Sequence, residues 1–488
     1  MHEQITKQDT SNMFHDTITA ISTPMGEGGI GIVRLSGSMS MDIISKIFRG
    51  KTDILSAKSH TIHYGKIFHP ETLQVIDTVL VSIMKSPQTY TRENVVEINA
   101  HSGSVVLQEI LELTILMGAR LAQPGEFTKR AFLNGRIDLA QAEAVIDVIR
   151  AKTSTSLAAA LGQLEGRLST EILGIRTSIL SLLAHIEASL DFSEEELEIM
   201  EDTEIGKGLL SVETQLSSLI ESSRHGKILK EGVSCVIVGR PNVGKSSLLN
   251  ALLGEARAIV THIPGTTRDI IEEIIDICGI PLKIVDTAGL RETIDIVEKE
   301  GVTRARKAIE GADVILLVLD GSCPLTHEDL LAIEGLKMRM CEGAPLAEGA
   351  PLAEGAPLTV VVLNKCDIAM VIDETQIKQL LPDKPMVCIS ALTGHGLDEL
   401  RDAIKELLLD GQVKIGERVM VSNVRHIDAL RKARLAILQA KDTLNINPSL
   451  ELIAVDLRDA LLYLSILTGE TTSEDVLDVV FSRFCVGK

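Results

Sequence analysis

One octapeptide constrains this chain more than any other part of it: Gly239-Arg240-Pro241-Asn242-Val243-Gly244-Lys245-Ser246. It fits the pattern G-x-x-x-x-G-K-[ST]. It is preceded by the apolar run Val233–Val238 and followed by Ser247–Leu253, which reads as a helix. Strand, glycine loop and helix in that order let backbone N–H groups cradle phosphate oxygens, with the partial positive charge of the helix N-terminus behind them. The spacing predicts that Lys245 reaches the β- and γ-phosphates of a nucleotide and that the Ser246 hydroxyl ligates Mg²⁺.

Three further loops follow apolar runs. Ile284-Val285 leads into Asp286-Thr287-Ala288-Gly289, a carboxylate able to hold Mg²⁺ and a glycine able to meet a γ-phosphate. Val360–Leu363 leads into Asn364-Lys365-Cys366-Asp367, and Val387-Cys388-Ile389 into Ser390-Ala391-Leu392. Ligands of open parallel sheets bind beyond the carboxyl ends of the strands, so four such loops predict one site. Asp367 names the base. Its carboxylate can accept from both the ring N–H and the exocyclic amine of guanine, whereas adenine would leave it unpaired. A site built to hydrogen-bond a group can reject an analogue lacking it by roughly 10⁴-fold or more.

Length and composition set the frame. The 488 residues suggest about three domains. Hydrophobic residues make up 45% and aromatic residues 2%, with no Trp, so the cores must be aliphatic. No run of about 18 or more consecutive apolar residues occurs, which predicts no membrane-spanning helix. The polar start Met1–Asp16 argues against a signal peptide, and a cytoplasmic location is expected. The seven cysteines are scattered without a C-x-x-C pair, which fits a reducing compartment and no zinc site. A net charge of −20 disfavours non-specific nucleic-acid binding by the whole surface. Any RNA contact would need a partner's surface or a local patch, either Arg120, Lys129, Arg130 and Arg136 or Arg425, His426, Arg431, Lys432 and Arg434; both patches also read as solvated helix faces.

Along the chain, the first segment reads as mixed α/β. Thr17–Thr23, Gly29–Ser36, Val79–Met84 and Asn94–Asn99 are strand candidates, and Val105–Met117 has helical spacing. Gly26, Gly28 and Gly31 do not make a dinucleotide fingerprint, because the strand-like Ile32-Val33-Arg34-Leu35 follows them. Ile137–Leu190 and Arg418–Phe484 have helical periodicity, with the acidic run Glu194–Glu196 reading as a solvated helix start. The expected fold is multidomain α/β and α: an N-terminal α+β domain over 1–134, and a helical domain over 135–225 and 411–488. A Ras-like P-loop GTPase domain over 226–410 interrupts that helical domain. Glu342–Leu358 repeats EGAPLA, with Pro345, Pro351 and Pro357 excluding regular structure, and reads as a surface insertion.

Longer segments narrow the reading. They are ITAISTPMGEGGIGIVRLSG at 18–37, PGEFTKRAFLNGRIDLAQAEA at 124–144, GRPNVGKSSLLNAL at 239–252, IVTHIPGTTRD at 259–269, DTAGLRET at 286–293 and the terminal FCVGK at 484–488. On these the chain resembles the tRNA-modification GTPase family MnmE, also called TrmE, over essentially its whole length. The resemblance implies that the N-terminal domain binds a 5-formyl- or methylene-tetrahydrofolate through Arg34, Glu97, Arg136 and Lys488. It implies a homodimer, and a heterotetramer with the FAD-binding partner GidA (MnmG). Together these install a carboxymethylaminomethyl group on carbon 5 of the wobble uridine of certain tRNAs.

For GTP, the motifs and the resemblance together point to Asn242, Val243, Gly244, Lys245, Ser246 and Ser247 in the first loop. Thr261, His262, Ile263, Pro264, Gly265, Thr266 and Thr267 form the second group. Asp286, Thr287, Ala288, Gly289, Asn364, Lys365, Asp367, Ser390, Ala391 and Leu392 complete the set. In Ras-like proteins a Gln after DTAG orients the attacking water. Here Leu290 stands there. The resemblance implies two substitutes: a K⁺ ion held by Asn242, Thr261, Ile263 and Thr266, and Glu298 orienting water, with Thr267 joining Ser246 on Mg²⁺. Cys485 reads either as a nucleophile toward the uridine ring or as a buried neighbour of Phe481 and Phe484. The sequence departs from the family pattern at His262, where an acidic residue is common, at Arg136, where Lys is common, in the hexamer repeat and in the tripeptide Ser390-Ala391-Leu392. Two competing readings are a GTP-dependent switch resembling Era or EngA and a free-standing folate-dependent transferase. The FCVGK end points away from the first, and the lack of an obvious acid–base pair away from the second.

Overall fold

In this computed structural model the described residues are 16–191, 202–256, 273–285, 312–342, 357–409, 419–446 and 449–488. Thr261–Thr267, Asp286–Gly289, Leu290, Glu298, the acidic Glu194–Glu196 run and the greater part of the hexamer repeat lie outside them. The chain divides into two compact units. One comprises Met1–Ile146, Leu164–Val212 and Lys432–Lys488, and the other Asp147–Gln163 and Glu213–Arg431.

The first unit begins with β1 (Ile18–Ile21), β2 (Gly31–Ser36), α1 (Ser40–Ile47), β3 (Phe48–Gly50), β4 (Thr61–Phe68), β5 (Val75–Met84) and β6 (Val95–Ala100). Then come α2 (Ser104–Leu116), β7 (Arg120–Leu121) and α3 (Glu126–Leu133). The seven strands lie in the order β3-β4-β5-β6-β2-β1-β7. Alternation organises the sheet. Val33 and Leu35 of β2, Val96 and Ile98 of β6, and Val79, Val81 and Ile83 of β5 pack against Ile43, Ile44 and Ile47 of α1 and Leu107 and Ile110 of α2. The residues between them, Arg34 and Glu97, therefore point to the opposite face. The antiparallel register sets Arg34 directly across from Glu97.

β4 is a strand that the pattern conceals. Its apolar Ile62 and Tyr64 are 66% and 72% exposed, so its alternation carries no inward stripe to read.

Next come α4 (Leu139–Arg150), α5 (Ser154–Leu164), α6 (Arg167–Asp191) and α7 (Asp202–Glu231). The helical stretch expected over Ile137–Leu190 is thus three helices. The α4–α5 break is a reciprocal cap: the Ser156 N–H donates to Thr153 Oγ1 at 3.1 Å, and the Thr153 N–H to Ser156 Oγ at 3.0 Å.

The second unit contains β8 (Val233–Val238), α8 (Lys245–Ala256), β9 (Glu273–Ile277), β10 (Ile280–Ile284), β11 (Val314–Asp320) and α9 (His327–Glu342). It continues with β12 (Leu358–Asn364), α10 (Glu374–Leu380), β13 (Met386–Cys388) and α11 (Leu397–Leu409). Its sheet order is β13-β12-β11-β8-β10-β9, parallel except for β9. Val314, Leu316 and Val318 of β11 face α8 and α11. Ile315, Leu317 and Leu319 face α9 and α10. Burial on both faces explains why these strands read as unbroken apolar runs.

The chain ends with α12 (Val424–Ile446), α13 (Leu450–Thr468) and α14 (Glu474–Phe481). Within the first unit α6 packs along α13, tied by Arg176 to Glu470 and by Glu187 to Arg458, each at 2.6 Å. Arg167–Leu190 of α6 is long and apolar enough to cross a membrane by length and composition. Its Ile172, Ile175, Ile179 and Ile186 are buried, while Leu173 and Leu180 are exposed.

Candidate functional site

Four strands of the second unit deliver their C-terminal loops to one edge. Gly239–Gly244 leaves β8 and runs into α8, whose first turn starts at Lys245. Asn242 holds φ at 65°, a left-handed conformation that Asn adopts more readily than most residues. Gly244 has φ 99°, and a Cβ there would collide with the Asn364 amide, so glycine is required. The Lys245 ammonium donates to the carbonyls of Gly239 and Arg240, both at 2.8 Å. It is therefore folded back over its own loop, and burial holds its pKa below the ordinary lysine value.

Asn364, at the end of β12, ties three loops together. Its amide donates to the Val243 carbonyl at 2.8 Å, and its Oδ1 accepts from the Ala391 N–H at 3.0 Å. The Asp367 carboxylate is aimed by the Ser390 hydroxyl, which donates to Oδ1 at 2.6 Å. Asn242, Val243, Gly244, Lys245, Asn364, Asp367, Ser390 and Ala391 thus belong to one constellation. The Leu392 side chain is 85% exposed, so any role it has near a base falls to its backbone.

Sequence reasoning missed Asp320. It ends β11 and is 7% exposed. Its Oδ2 accepts from Lys365 Nζ at 2.6 Å, and its Oδ1 from the Ser322 hydroxyl at 2.6 Å and the Ser322 N–H at 3.0 Å. Arg240 of the phosphate loop comes within 3.8 Å of the same Oδ2 and within 3.3 Å of Asp329 Oδ2. Burial would raise the Asp320 pKa, but the bonds from Lys365 and Ser322 prevail and hold it below the ordinary aspartate value. One carboxylate therefore stands between the Gly239–Gly244 loop and the Asn364–Asp367 loop. The available signal was an apolar run, Val314–Leu319, ending in an acid at the same sheet edge.

A second cluster lies in the first unit. Arg34 Nε donates to Glu97 Oε1 at 2.8 Å, with both side chains partly exposed. The C-terminal tail joins them: the Gly487 carbonyl accepts from an Arg34 guanidinium nitrogen and from the Ser22 hydroxyl, each at 3.1 Å. Gly487 has φ 93°, and a Cβ would lie 2.5 Å from the Ile21 carbonyl, so only glycine lets the tail approach this closely. Arg34 lies over the Phe127 ring at 5.6 Å, and Arg136 over Tyr90 at 4.8 Å. Phe127 and Tyr90 pack in one apolar cluster, and burial pushes the Tyr90 pKa up against the opposing charges of Arg136 and Arg34. This donor set, cations for carboxylates and one carboxylate for ring N–H donors, fits a folate. Lys488 follows Gly487 directly, and its N–H donates to the Cys485 carbonyl at 3.4 Å. Of the two readings of Cys485, burial fails: Phe481 and Phe484 are buried while Cys485 is exposed.

Family models match both parts of the chain. The model described as GTP-binding protein TrmE N-terminus covers residues 17–136, and the MnmE helical domain model covers 139–485. The chain belongs to the MnmE family of tRNA modification GTPases. The family member from Acetivibrio thermocellus is 46% identical over 478 residues, 97% of this chain and 99% of that one. That from Geobacillus thermodenitrificans is 48% identical over 476 residues, with 97% and 99% covered. That from Thermoanaerobacter pseudethanolicus is 49% identical over 478 residues, with 98% and 100% covered. Among solved structures, the G domain of the T. maritima FeoB iron transporter is 28% identical, covering 36% of this chain and 98% of that one, with a TM-score of 0.24. As an MnmE-family member the chain is a GTP-hydrolysing enzyme of tRNA modification.

The structure turns some cations of the two basic patches inward or onto carboxylates, while Arg136, Arg431 and Lys432 stay exposed. Arg130 has no exposed side-chain surface. It pairs with Asp16, Glu93 and Glu126, while Arg120 pairs with Asp16 and Glu126. Lys129 pairs with Asp478. These cations are thus paired with carboxylates, buried ones for Arg130 and partly or largely exposed ones for Arg120 and Lys129. In the second patch His426 is fully buried. Helical spacing alone did not reveal which cations turn inward. Among the described residues no group of three or more His, Cys, Asp or Glu side chains could hold a metal ion, and Cys235, Cys278, Cys323, Cys366, Cys388 and Cys485 are free thiols.

Proposed function

We propose that this MnmE-family enzyme is a K⁺-activated GTP hydrolase. With the FAD-binding partner GidA (MnmG) it would install a carboxymethylaminomethyl group on carbon 5 of the wobble uridine of certain tRNAs, in the cytoplasm. A tetrahydrofolate bound near Arg34, Glu97, Arg136 and Lys488 would supply the one-carbon unit. The observation that carries this reading is the docking of the FCVGK tail on the strand face that bears the Arg34–Glu97 pair. That contact joins the segments of Arg34, Glu97 and the C-terminal tail, three of the four on which the folate reading depends. The proposed division is an N-terminal folate domain over 1–134, a helical domain over 135–225 and 411–488, and a GTPase domain over 226–410. The working assemblies would be a homodimer and a heterotetramer with GidA.

At the nucleotide site, the Gly239–Gly244 backbone and Lys245 would hold the phosphates. Ser246 and Thr267 would hold Mg²⁺, and Asp367 would read guanine. Leu290 has no group to orient water, so Glu298 takes that role. K⁺, held by Asn242, Thr261, Ile263 and Thr266, would supply the charge that an arginine finger supplies elsewhere, a contribution of about 10³- to 10⁵-fold in other GTPases. Asn242 supports this: its left-handed backbone sits at the turn of the phosphate loop, and its amide oxygen suits a weakly hydrated cation. Turnover in matched K⁺ and Na⁺ buffers tests it. K⁺ is expected to accelerate hydrolysis strongly and Asn242→Ala to remove the difference; equal rates in the two buffers would rule the mechanism out.

A further inference from the structure

A cleft of about 440 Å³ opens in the first unit, lined by His60, Gln88, Thr89, Tyr90, Arg92 and Arg136. Its volume falls in the range of small-molecule sites, about 300–1,000 Å³. Two apolar side chains complete the lining, and no carboxylate is part of it. That is unusual in a chain with 68 acidic and 48 basic residues. Both guanidiniums are held by backbone carbonyls. Arg92 donates to the Asn134 carbonyl at 2.9 Å and Arg136 to the Tyr90 carbonyl at 3.0 Å. Each therefore keeps its charge and further N–H donors for another partner. By contrast Arg34, Arg120 and Arg130 are engaged by carboxylates.

Arg136 belongs both to the folate set and to the lining of the cleft. Arg34 lies over Phe127, Phe127 packs with Tyr90, and Tyr90 carries Arg136 on its ring. The contacts run from Glu97, the one carboxylate of the set, to a cleft lined by two arginines and no carboxylate. A folate has the same polarity, with a pterin at one end and a glutamate at the other. Further glutamates can be added by γ-linkage, each bringing one more carboxylate.

We propose that the His60–Arg92–Arg136 cleft is a subsite for the γ-linked oligoglutamate chain of the folate, so that this enzyme prefers polyglutamylated over monoglutamyl tetrahydrofolate; this rests on the folate reading above. Arg92 and Arg136 bind successive carboxylates through paired N–H donors, and Tyr90 holds Arg136 in place. Both arginines are exposed, so the gain is moderate and salt-dependent.

Calorimetry on the full chain tests this with 5-formyltetrahydrofolate as the mono- and triglutamate. The triglutamate is expected to bind about tenfold more tightly at low salt, with the gain shrinking as ionic strength rises. Arg92→Ala should bring the triglutamate down to the monoglutamate's affinity, leave the monoglutamate's own affinity in place as proof of folding, and be partly rescued by Arg92→Lys. Equal affinity for both ligands would overturn the subsite and leave the folate reading standing. Preference for the triglutamate that survives Arg92→Ala would overturn the assignment of the cleft. Failure of both ligands to bind the wild-type chain would overturn the folate reading and the subsite with it.

Discussion

Replacing Asp320 with asparagine should weaken GTP binding while leaving the chemical step nearly intact. Asp320 acts through its neighbours; it holds Lys365 by one oxygen and Ser322 by the other. Asparagine keeps an acceptor for Ser322 but puts an amide where Lys365 needs a carboxylate. A hydrogen bond to a charged group contributes about 1.5–3 kcal/mol. The Lys365 side chain is 33% exposed, and screening there trims the loss to about 1–2 kcal/mol. That corresponds to a factor of about 5–30 in affinity. Arg240 keeps Asp329 as its main partner at 3.3 Å, so the phosphate loop should hold its shape. The assay is steady-state GTP turnover together with equilibrium titration of a fluorescent GDP. KM and the GDP dissociation constant should rise together by that factor, with kcat within about twofold. Unchanged nucleotide affinity would refute the positioning role, and a large fall in kcat at constant KM would show that Asp320 acts on the reaction itself.

Two further substitutions probe other parts of the account. Asp367→Asn should favour xanthosine triphosphate over GTP in a competition assay, because the amide reverses the donor–acceptor match; unchanged preference would mean that another group reads the base. Glu126→Gln should lower stability by about 1–3 kcal/mol at neutral pH in denaturant titrations, since it removes one charged partner of the buried Arg130 while Asp16 and Glu93 stay in place. Burial alone would raise the Glu126 pKa, yet bonds from Arg120, the Gln123 N–H and Arg130 hold it below 4.5. Its contribution is therefore present above the ordinary glutamate value and lost as pH falls through the depressed folded value. The variant and wild type should converge in acid; a constant gap down to pH 3 would contradict the ion-pair account.

The Gly239–Ser246, Asn364–Asp367 and Ser390–Leu392 loops could be located from the sequence because their pattern is local. Gly244, Lys245 and Ser246 are adjacent in the chain, and the strands before them are apolar on both faces. Asp320 escaped notice because its role exists only where Lys365 and Arg240 meet it. Arg34 and Glu97 alternate correctly with their apolar neighbours, but their cross-strand register is a property of the sheet, and only the family resemblance had paired them. β4 escaped because Ile62 and Tyr64 face outward. The cationic stretch around Arg130 misled for the opposite reason, since helical spacing cannot tell a charge turned to solvent from one neutralised by Asp16, Glu93 and Glu126 brought in from elsewhere. Thr153 and Ser156 show a smaller version of the same limit: the cap that splits one helical run into two needs only two hydroxyls, and hydroxyls are common.

The central claim is that GTP hydrolysis by this chain serves modification of tRNA at the wobble uridine. Mass spectrometry of tRNA nucleosides tests it most directly, in cells lacking the protein and in the same cells carrying either the wild-type chain or Lys245→Ala. The account predicts that carboxymethylaminomethyluridine disappears on deletion, returns with the wild type and does not return with Lys245→Ala. An unchanged nucleoside profile on deletion would contradict the assignment to wobble modification, and full restoration by Lys245→Ala would contradict the link to GTP.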